Sequence, residues 1–451
     1  MADITWLEYL LLPLYLFFLY KLAFKFRDKY YPQGHPYRYY FTAGLNVKVA
    51  GALFIALVYG YYYGGGDSFN FFFHSRIINS TFFDHPDTWY RLITHTVDEN
   101  NQSDMVNASQ LYWYYDTASY STSVLGALIG FFCFTKYLLI TVIIAFLSFI
   151  GVWLLFVTFA NQYPGIIKYI AIAVLFMPGP VVWGSGFFKD SFCLFAIGCL
   201  VYCFYSLFQK KQFSLGLAFL FIISLALLFF IKIYILAMLL PALALRTLLN
   251  YKKTTKGSVG NTIIFFSILI LLILSAGIII KKATQAFGEV DTDLVLKTMQ
   301  MQRLYLLHQS IITNGSAYDL GDFDPSFAGI AKMAVPSINV TLFRPYIWES
   351  HSLLQMLNAL ESGGVLLLTL YLVFRRNVFR TIKTIYHDPN LIMCLIFSLV
   401  FAFVVGLTSA NFGSLSRYKI PCTPFFMLFL MILIYDNKSR DVTSNLKKLA
   451  I

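Results

Sequence analysis

The chain has 451 residues, of which 58% are hydrophobic and only 12% charged, with a formal net charge of +12 and a mean hydropathy of +0.68. A soluble globular chain carries about 25% charged residues, so these values exclude a string of soluble domains and point to a chain whose apolar surface faces lipid. The positive charge does not indicate a nucleic-acid partner, because Lys and Arg stand in short clusters between apolar runs and form no basic stripe.

Crossing the hydrocarbon core takes about 20 mostly apolar residues. In chain order the candidate spans are 4–24, 43–63, 137–160, 165–180, 190–208, 213–231, 233–250, 261–280, 352–374, 390–408 and 420–435, with Lys232 separating the sixth from the seventh. The expected fold is all-α: a polytopic transmembrane helix bundle of about eleven spans, forming a single integral membrane domain over residues 1–451. The first span is expected to be retained, because its flank carries Asp3 and Glu8 instead of a basic region and no small-residue cleavage site follows. All six cysteines lie in or beside apolar runs without a CxxC pair. They read as small apolar side chains, not as disulfides or zinc ligands.

Lys and Arg in the loops set the orientation. They gather in one alternating set of loops: Lys21 to Arg38, Lys168, Lys210 and Lys211, Arg246 to Lys256, Arg375 to Lys383, and Lys438 to Lys448. With eleven spans this set is cytoplasmic, the N-terminus outside and the C-terminus inside. The acids agree, since of the 22 Asp and Glu only Asp28, Asp388, Asp436 and Asp441 fall in that set.

Two outside segments are long, and both are expected to carry juxtamembrane helices. The first, 64–136, is rich in Asp, Asn, Ser and aromatics; its apolar end, Tyr120–Phe134, is short and reads as an interfacial or re-entrant helix. In the second, 281–351, the spacing of Leu294, Leu296, Met299, Leu304, Leu307 and Ile311 predicts an amphipathic helix over 293–312.

Four polar clusters sit where outer loops meet spans. The first is Gly64-Gly65-Gly66-Asp67. Its glycines allow a sharp turn and hold Asp67 at the boundary between water and lipid, as a general base or metal ligand, or simply as a solvated acid at a helix end. The second runs from Trp183 to Ser191. Lys189 with the following helix start would take a phosphate and Asp190 would orient it; the plainer alternative is a capping acid beside a snorkelling lysine. The third is Arg344-Pro345-Tyr346-Ile347-Trp348-Glu349, followed by Glu361 inside the ninth span. Arg344 suits bidentate phosphate binding, Trp348 a membrane-interface belt or a sugar ring, and Glu361 is an intramembrane acid that marks a site or a buried pair. The fourth, Ser414 to Pro421, brings Arg417, Tyr418 and Lys419 to the outer surface, where they suit an anionic headgroup or a lipid pyrophosphate.

A divalent metal near Asp67 and His74, or at Asp84-His85-Pro86-Asp87, is an option without a recognised spacing. No metal ligand or cofactor is assigned. Five Asn-x-Ser/Thr triplets, at Asn79, Asn101, Asn107, Asn314 and Asn339, all fall outside. No phosphate-binding glycine loop, dinucleotide fingerprint, nucleophile elbow or HExxH occurs.

In their order, an early outer Asp, W-x-S-G-x-x-K-D (183–190), R-P-x-x-W-E (344–349) and R-Y-K-x-P-x-x-P (417–424) resemble bacterial polysaccharide-assembly membrane proteins. These are the O-antigen and exopolysaccharide polymerases and the lipid-sugar-dependent C-superfamily glycosyltransferases. The resemblance spans residues 60 to 425. It implies an acid in the first long outer loop, here Asp67, acting at the active site, and outer arginines, here Arg344 and Arg417, holding a polyprenyl pyrophosphate. Asp67 departs from the pattern in following the second span and in having no neighbouring acid.

The expected function is therefore a bacterial inner-membrane glycosyltransferase or polymerase that moves a sugar or glycan from a polyprenyl-phosphate-type carrier on the non-cytoplasmic face. Asp67 and Glu361 would be catalytic. Lys189, Arg344, Arg417 and Lys419 would bind carrier phosphate, and Asp190, Glu349, Trp183, Trp348 and Tyr418 would orient these groups or stack on sugar. The partners would be the carrier and membrane lipid, with no nucleic acid. Two rivals stand beside it: a lipid-linked glycan flippase or transporter, and a non-catalytic membrane subunit of a surface or secretion assembly.

Overall fold

The computed structural model describes residues 4–254, 300–301, 303–308, 310, 312, 316–321, 324 and 326–435. Helix dominates them, and among the described residues there is no strand, only a single bridge between Ala317 and Asn411. We number the helices α1 (Trp6–Tyr30), α2 (Arg38–Leu57, prolonged by a π turn to Tyr62), α3 (Asp67–Ser80), α4 (Pro86–Thr94), α5 (Gln102–Ser109), α6 (Thr117–Phe131), α7 (Tyr137–Gln162), α8 (Ile167–Leu175), α9 (Pro178–Val182), α10 (Lys189–Phe204), α11 (Leu215–Thr254), α12 (Phe327–Lys332), α13 (Ala334–Phe343), α14 (Leu353–Arg375), α15 (Val378–His387), α16 (Pro389–Thr408), α17 (Phe412–Tyr418) and α18 (Thr423–Tyr435).

Among the described residues, seven helices are long and apolar enough to cross a membrane, and eight if α17 and α18, bent by 66°, form one broken span. The chain is an all-α, multi-pass membrane protein. The difference from eleven has identifiable sources. The runs 213–231 and 233–250 both fall in α11, as two helical stretches that meet at a kink at Lys232, whose dihedrals are non-helical. The run 165–180 breaks into the short helices α8 and α9. The run 261–280 lies outside the described residues, as do 293–299 of the expected amphipathic helix, whose residues 300, 301 and 303–308 are helical.

Contacts divide the chain into two compact units: one of Met1–Leu155, Pro180–Leu200 and Phe219–Lys232, the other of Phe156–Gly179, Val201–Ala218 and Ile233–Ile451.

In the first unit, segment 64–136 folds as a small helical cap. Gly64, Gly65 and Gly66 take φ of 63°, 146° and 107°, so the chain reverses there at little steric cost and starts α3 at Asp67. Ile77, Ile78, Leu92, Leu111, Tyr120 and Ala127 form its apolar core. Ser75 Oγ donates to Ser123 O at 2.7 Å and Asn79 Nδ2 to Ala127 O at 2.8 Å, stitching α3 to α6. The Asp104 carboxylate is buried and accepts from Arg91 Nε at 2.5 Å, Thr88 Oγ1 at 2.7 Å and Asp98 N at 3.0 Å. The α6 helix, 15 residues long, is shorter than a span.

Helices pack closely in membranes where small residues let backbones approach. A Cβ on Gly198 of α10 would stand 1.8 Å from Gly151 O of α7, so this crossing admits no side chain. In the second unit Gly406 of α16 plays the same part against Ser337 O of α13, at 2.2 Å, beside a Thr341 Oγ1 to Ala402 O bond of 2.8 Å. Arg246, which the sequence places in a basic loop, is instead buried within α11. It donates to Asn390 Oδ1, Gln162 Oε1 and Gln209 Oε1, while Tyr163 donates to Asp388 at 2.7 Å.

Candidate functional site

The polar residues singled out in the sequence fall into two groups, one per unit. In the first unit, Lys189 and Asp190 open α10. Lys189 Nζ donates to Ser119 Oγ at 2.7 Å and stands 3.7 Å from the Asp116 carboxylate, which caps α6. Burial raises the Asp116 carboxyl, but hydrogen bonds from Ser119 and the Lys189 charge outweigh it, leaving it below its ordinary pKa. Asp190 is buried and bound to Lys232 Nζ at 2.5 Å, at the break in α11.

Asp67 lies at the first position of α3, half-buried, where a helix N-terminus suits an acid. Its charge adds a favourable interaction at Lys189. Trp183 is buried against Tyr59 and Phe188 and forms part of the packing. Nearby on α3, His74 is buried with Nδ1 lacking a hydrogen-bond partner, edge-on to Trp113, and burial pushes its pKa down to about 4.

In the second unit, Arg344 and Glu349 form an ion pair, with Arg344 Nε 3.1 Å from each carboxylate oxygen. Burial raises the Glu349 carboxyl, and the hydrogen bonds from Arg344 and from Tyr346 N more than reverse it. The Arg344 guanidinium also lies 5.1 Å from the Phe412 ring centre, 5.8 Å from Tyr346 and 5.9 Å from Tyr318, within cation–π range. Trp348 is 78% exposed and stacks on Tyr346 at 4.9 Å.

Lys419, in the bend between α17 and α18, is buried. Its ammonium donates to Ser362 Oγ at 2.6 Å and Arg344 O at 3.4 Å, with no carboxylate at ion-pair distance among the described residues. Glu361, about two turns into α14, is buried too and accepts from Gly179 N. Both line a cavity of about 10 Å³ with Thr341, Ser362 and Thr423, room for about one water. Arg417 and Tyr418 are half-buried in the last turn of α17.

The structure thus brings Lys189, Asp190 and Asp67 together, and separately Arg344, Glu349, Glu361 and Lys419. Sequence reasoning missed Asp116 and Ser119, which hold Lys189, and the rings of Tyr318 and Phe412 beside Arg344. It also passed over Lys48, buried inside α2 and donating to Pro180 O at 3.0 Å. A lysine inside an apolar run was the available signal, since intramembrane charge marks a pairing or a site. Among the described residues no group of three or more His, Cys, Asp or Glu could hold a metal.

Comparison of this chain with protein-family models, curated proteins and solved structures gave no match.

Proposed function

We propose that this protein is a membrane glycosyltransferase or polymerase of the bacterial inner membrane, with its N-terminus outside and its C-terminus in the cytoplasm. It transfers a sugar or glycan from a polyprenyl-phosphate-type carrier on the non-cytoplasmic face. One observation carries the reading: a guanidinium framed by three aromatic rings, beside an exposed Trp348 stacked on Tyr346 and a buried lysine whose hydrogen bonds go to a hydroxyl and a carbonyl. Arginine matches phosphate oxygens in pairs, and exposed aromatics suit the apolar faces of sugars.

On this reading Arg344, Arg417 and Lys419 offset the phosphate charge as the carrier leaves, with Glu349 orienting Arg344. Lys419 is the readiest cation, because its present partners are a hydroxyl and a carbonyl. Glu361 biases Lys419 through the cavity they share. In the first unit Asp67 is the candidate base for an acceptor hydroxyl. Lys189 supports it electrostatically, and Asp190 orients that end of α10 through Lys232. The first unit also holds a cavity of about 290 Å³ with apolar walls at Tyr120, Leu125, Leu227 and Phe230 and polar ones at Thr94, His95, Thr117 and Ser121.

The test is a panel of Asp67→Asn, Lys189→Gln, Arg344→Gln, Lys419→Met and Glu361→Gln, expressed at equal level, with surface polysaccharide and lipid-linked intermediates measured. Loss of polymer with precursor accumulating on the outer leaflet supports the reading. Intact glycans in all five variants overturn it.

A flippase or transporter is the second reading, favoured by the broken helix α11 with a buried Lys232–Asp190 pair at its break. Interrupted helices with buried charge recur in transporters. It predicts precursor trapped on the inner leaflet in Asp190→Asn.

A further inference from the structure

Helix α15 joins the candidate spans α14 and α16, held between an Asn377 cap that accepts from Arg380 N and Asp388, which caps α16. Over its 10 residues the 100° step of a helix divides the surface into three sectors. Thr384 is buried, and Thr381 and Ile385 partly so; α15 packs on α16. A second sector, Val378, Phe379, Ile382 and Tyr386, is apolar and 60%, 84%, 58% and 76% exposed. The third holds Arg380, Lys383 and His387, also exposed. From Arg375 to His387 there are four Lys or Arg and no acid.

A helix tied to two spans by short connections stays at one membrane surface. There it can satisfy an exposed apolar sector only by sinking it into the headgroup boundary. The basic sector then lies beside that buried strip, at the depth of the lipid phosphates. We propose that α15 is an interfacial helix that binds the anionic headgroups of the leaflet on which it lies. The hydrophobic sector sets its depth, and Arg380 and Lys383 select anionic over zwitterionic lipid.

All six native cysteines are buried, so a cysteine introduced at an exposed site can be labelled selectively. Full-length Phe379→Cys and His387→Cys proteins carrying an environment-sensitive fluorophore go into nanodiscs of phosphatidylcholine, with or without one-third phosphatidylglycerol. Spin-labelled lipid serves as shallow quencher. The label at 379 should be blue-shifted and quenched at least about twofold more than the label at 387, with stronger quenching in anionic discs. Arg380→Glu/Lys383→Glu should remove the anionic increment. Three results overturn the proposal: equal quenching at both positions, indifference to phosphatidylglycerol, and protection of position 379 by a second copy, seen as 379–379 crosslinking in place of lipid quenching.

Discussion

The two polar groups solve the problem of charge in a membrane protein differently. In the first unit's polar group the charges stand in ion pairs, Asp190 with Lys232 and Lys189 with Asp116, while Lys48, elsewhere in that unit, is buried against a backbone carbonyl. In the second, Arg344 has Glu349, but the Lys419 ammonium rests on a hydroxyl and a carbonyl. A matched pair gains little from a ligand, because the ligand must displace a partner already in place. A cation held by neutral dipoles retains most of its attraction for an anion. On the proposed function, the Asp190–Lys232 pair is structural and the second unit's cations bind the carrier anion.

The largest expected effect breaks the first half of that contrast. Lys232→Met leaves Asp190 buried without its partner and should cost roughly 3–5 kcal/mol of stability, while Asp190→Leu/Lys232→Met should recover most of the loss. Thermal unfolding of the purified chain in one detergent reads both. Next, Lys419→Met should cost only about 1–2 kcal/mol in the same assay, since it removes hydrogen bonds to neutral acceptors, yet on the proposed function should abolish polymer formation. A stability loss matching that of Lys232→Met would erase the distinction between the units.

The cap over 64–136 gives pH predictions of defined sign. Asp104 is held at about 2 against an ordinary 3.8, first by Arg91 and also by Thr88 and the Asp98 amide. Its contribution is complete above about 4 and lost as pH falls toward 2, because the unfolded chain takes up the proton first. Burial lowers His74 to about 4 from 6.5. The fold favours its neutral form, so stability falls as pH drops from 6.5 toward 4, again because the unfolded chain binds the proton first. His74→Phe should flatten the upper slope and leave the lower one. The smallest effect belongs to Trp348→Ala, which should shift stability by no more than about 0.5 kcal/mol at so exposed a position and, on the proposed function, lower turnover.

Most of the bundle was legible in the sequence because hydropathy reports the solvent each segment needs. The spans at 137–160, 352–374 and 390–408 match α7, α14 and α16 within a few residues. What hydropathy cannot report is non-local pairing. Lys232 reads as a break between two runs, and the helix does kink there; what hydropathy hides is that Asp190, 42 residues away, holds it. Arg246 reads as a loop charge until Gln162, Gln209 and Asn390 satisfy it inside the protein. The site was half legible for the same reason. Arg344 and Glu349 are five residues apart and could be paired by eye, whereas Ser362 and Lys419 meet across 57 residues. Helix α15 was masked by its own arginines, which read as a cytoplasmic charge cluster and hid the apolar sector beside them.

The most direct test of the central claim is carrier binding to the purified protein. A photoreactive polyprenyl pyrophosphate should label the native chain within residues 341–426. Labelling should fall at least about tenfold in Arg344→Gln/Lys419→Met, as expected for losing two charge-assisted contacts, and remain in Asp190→Leu/Lys232→Met. Undiminished labelling in Arg344→Gln/Lys419→Met would contradict the account.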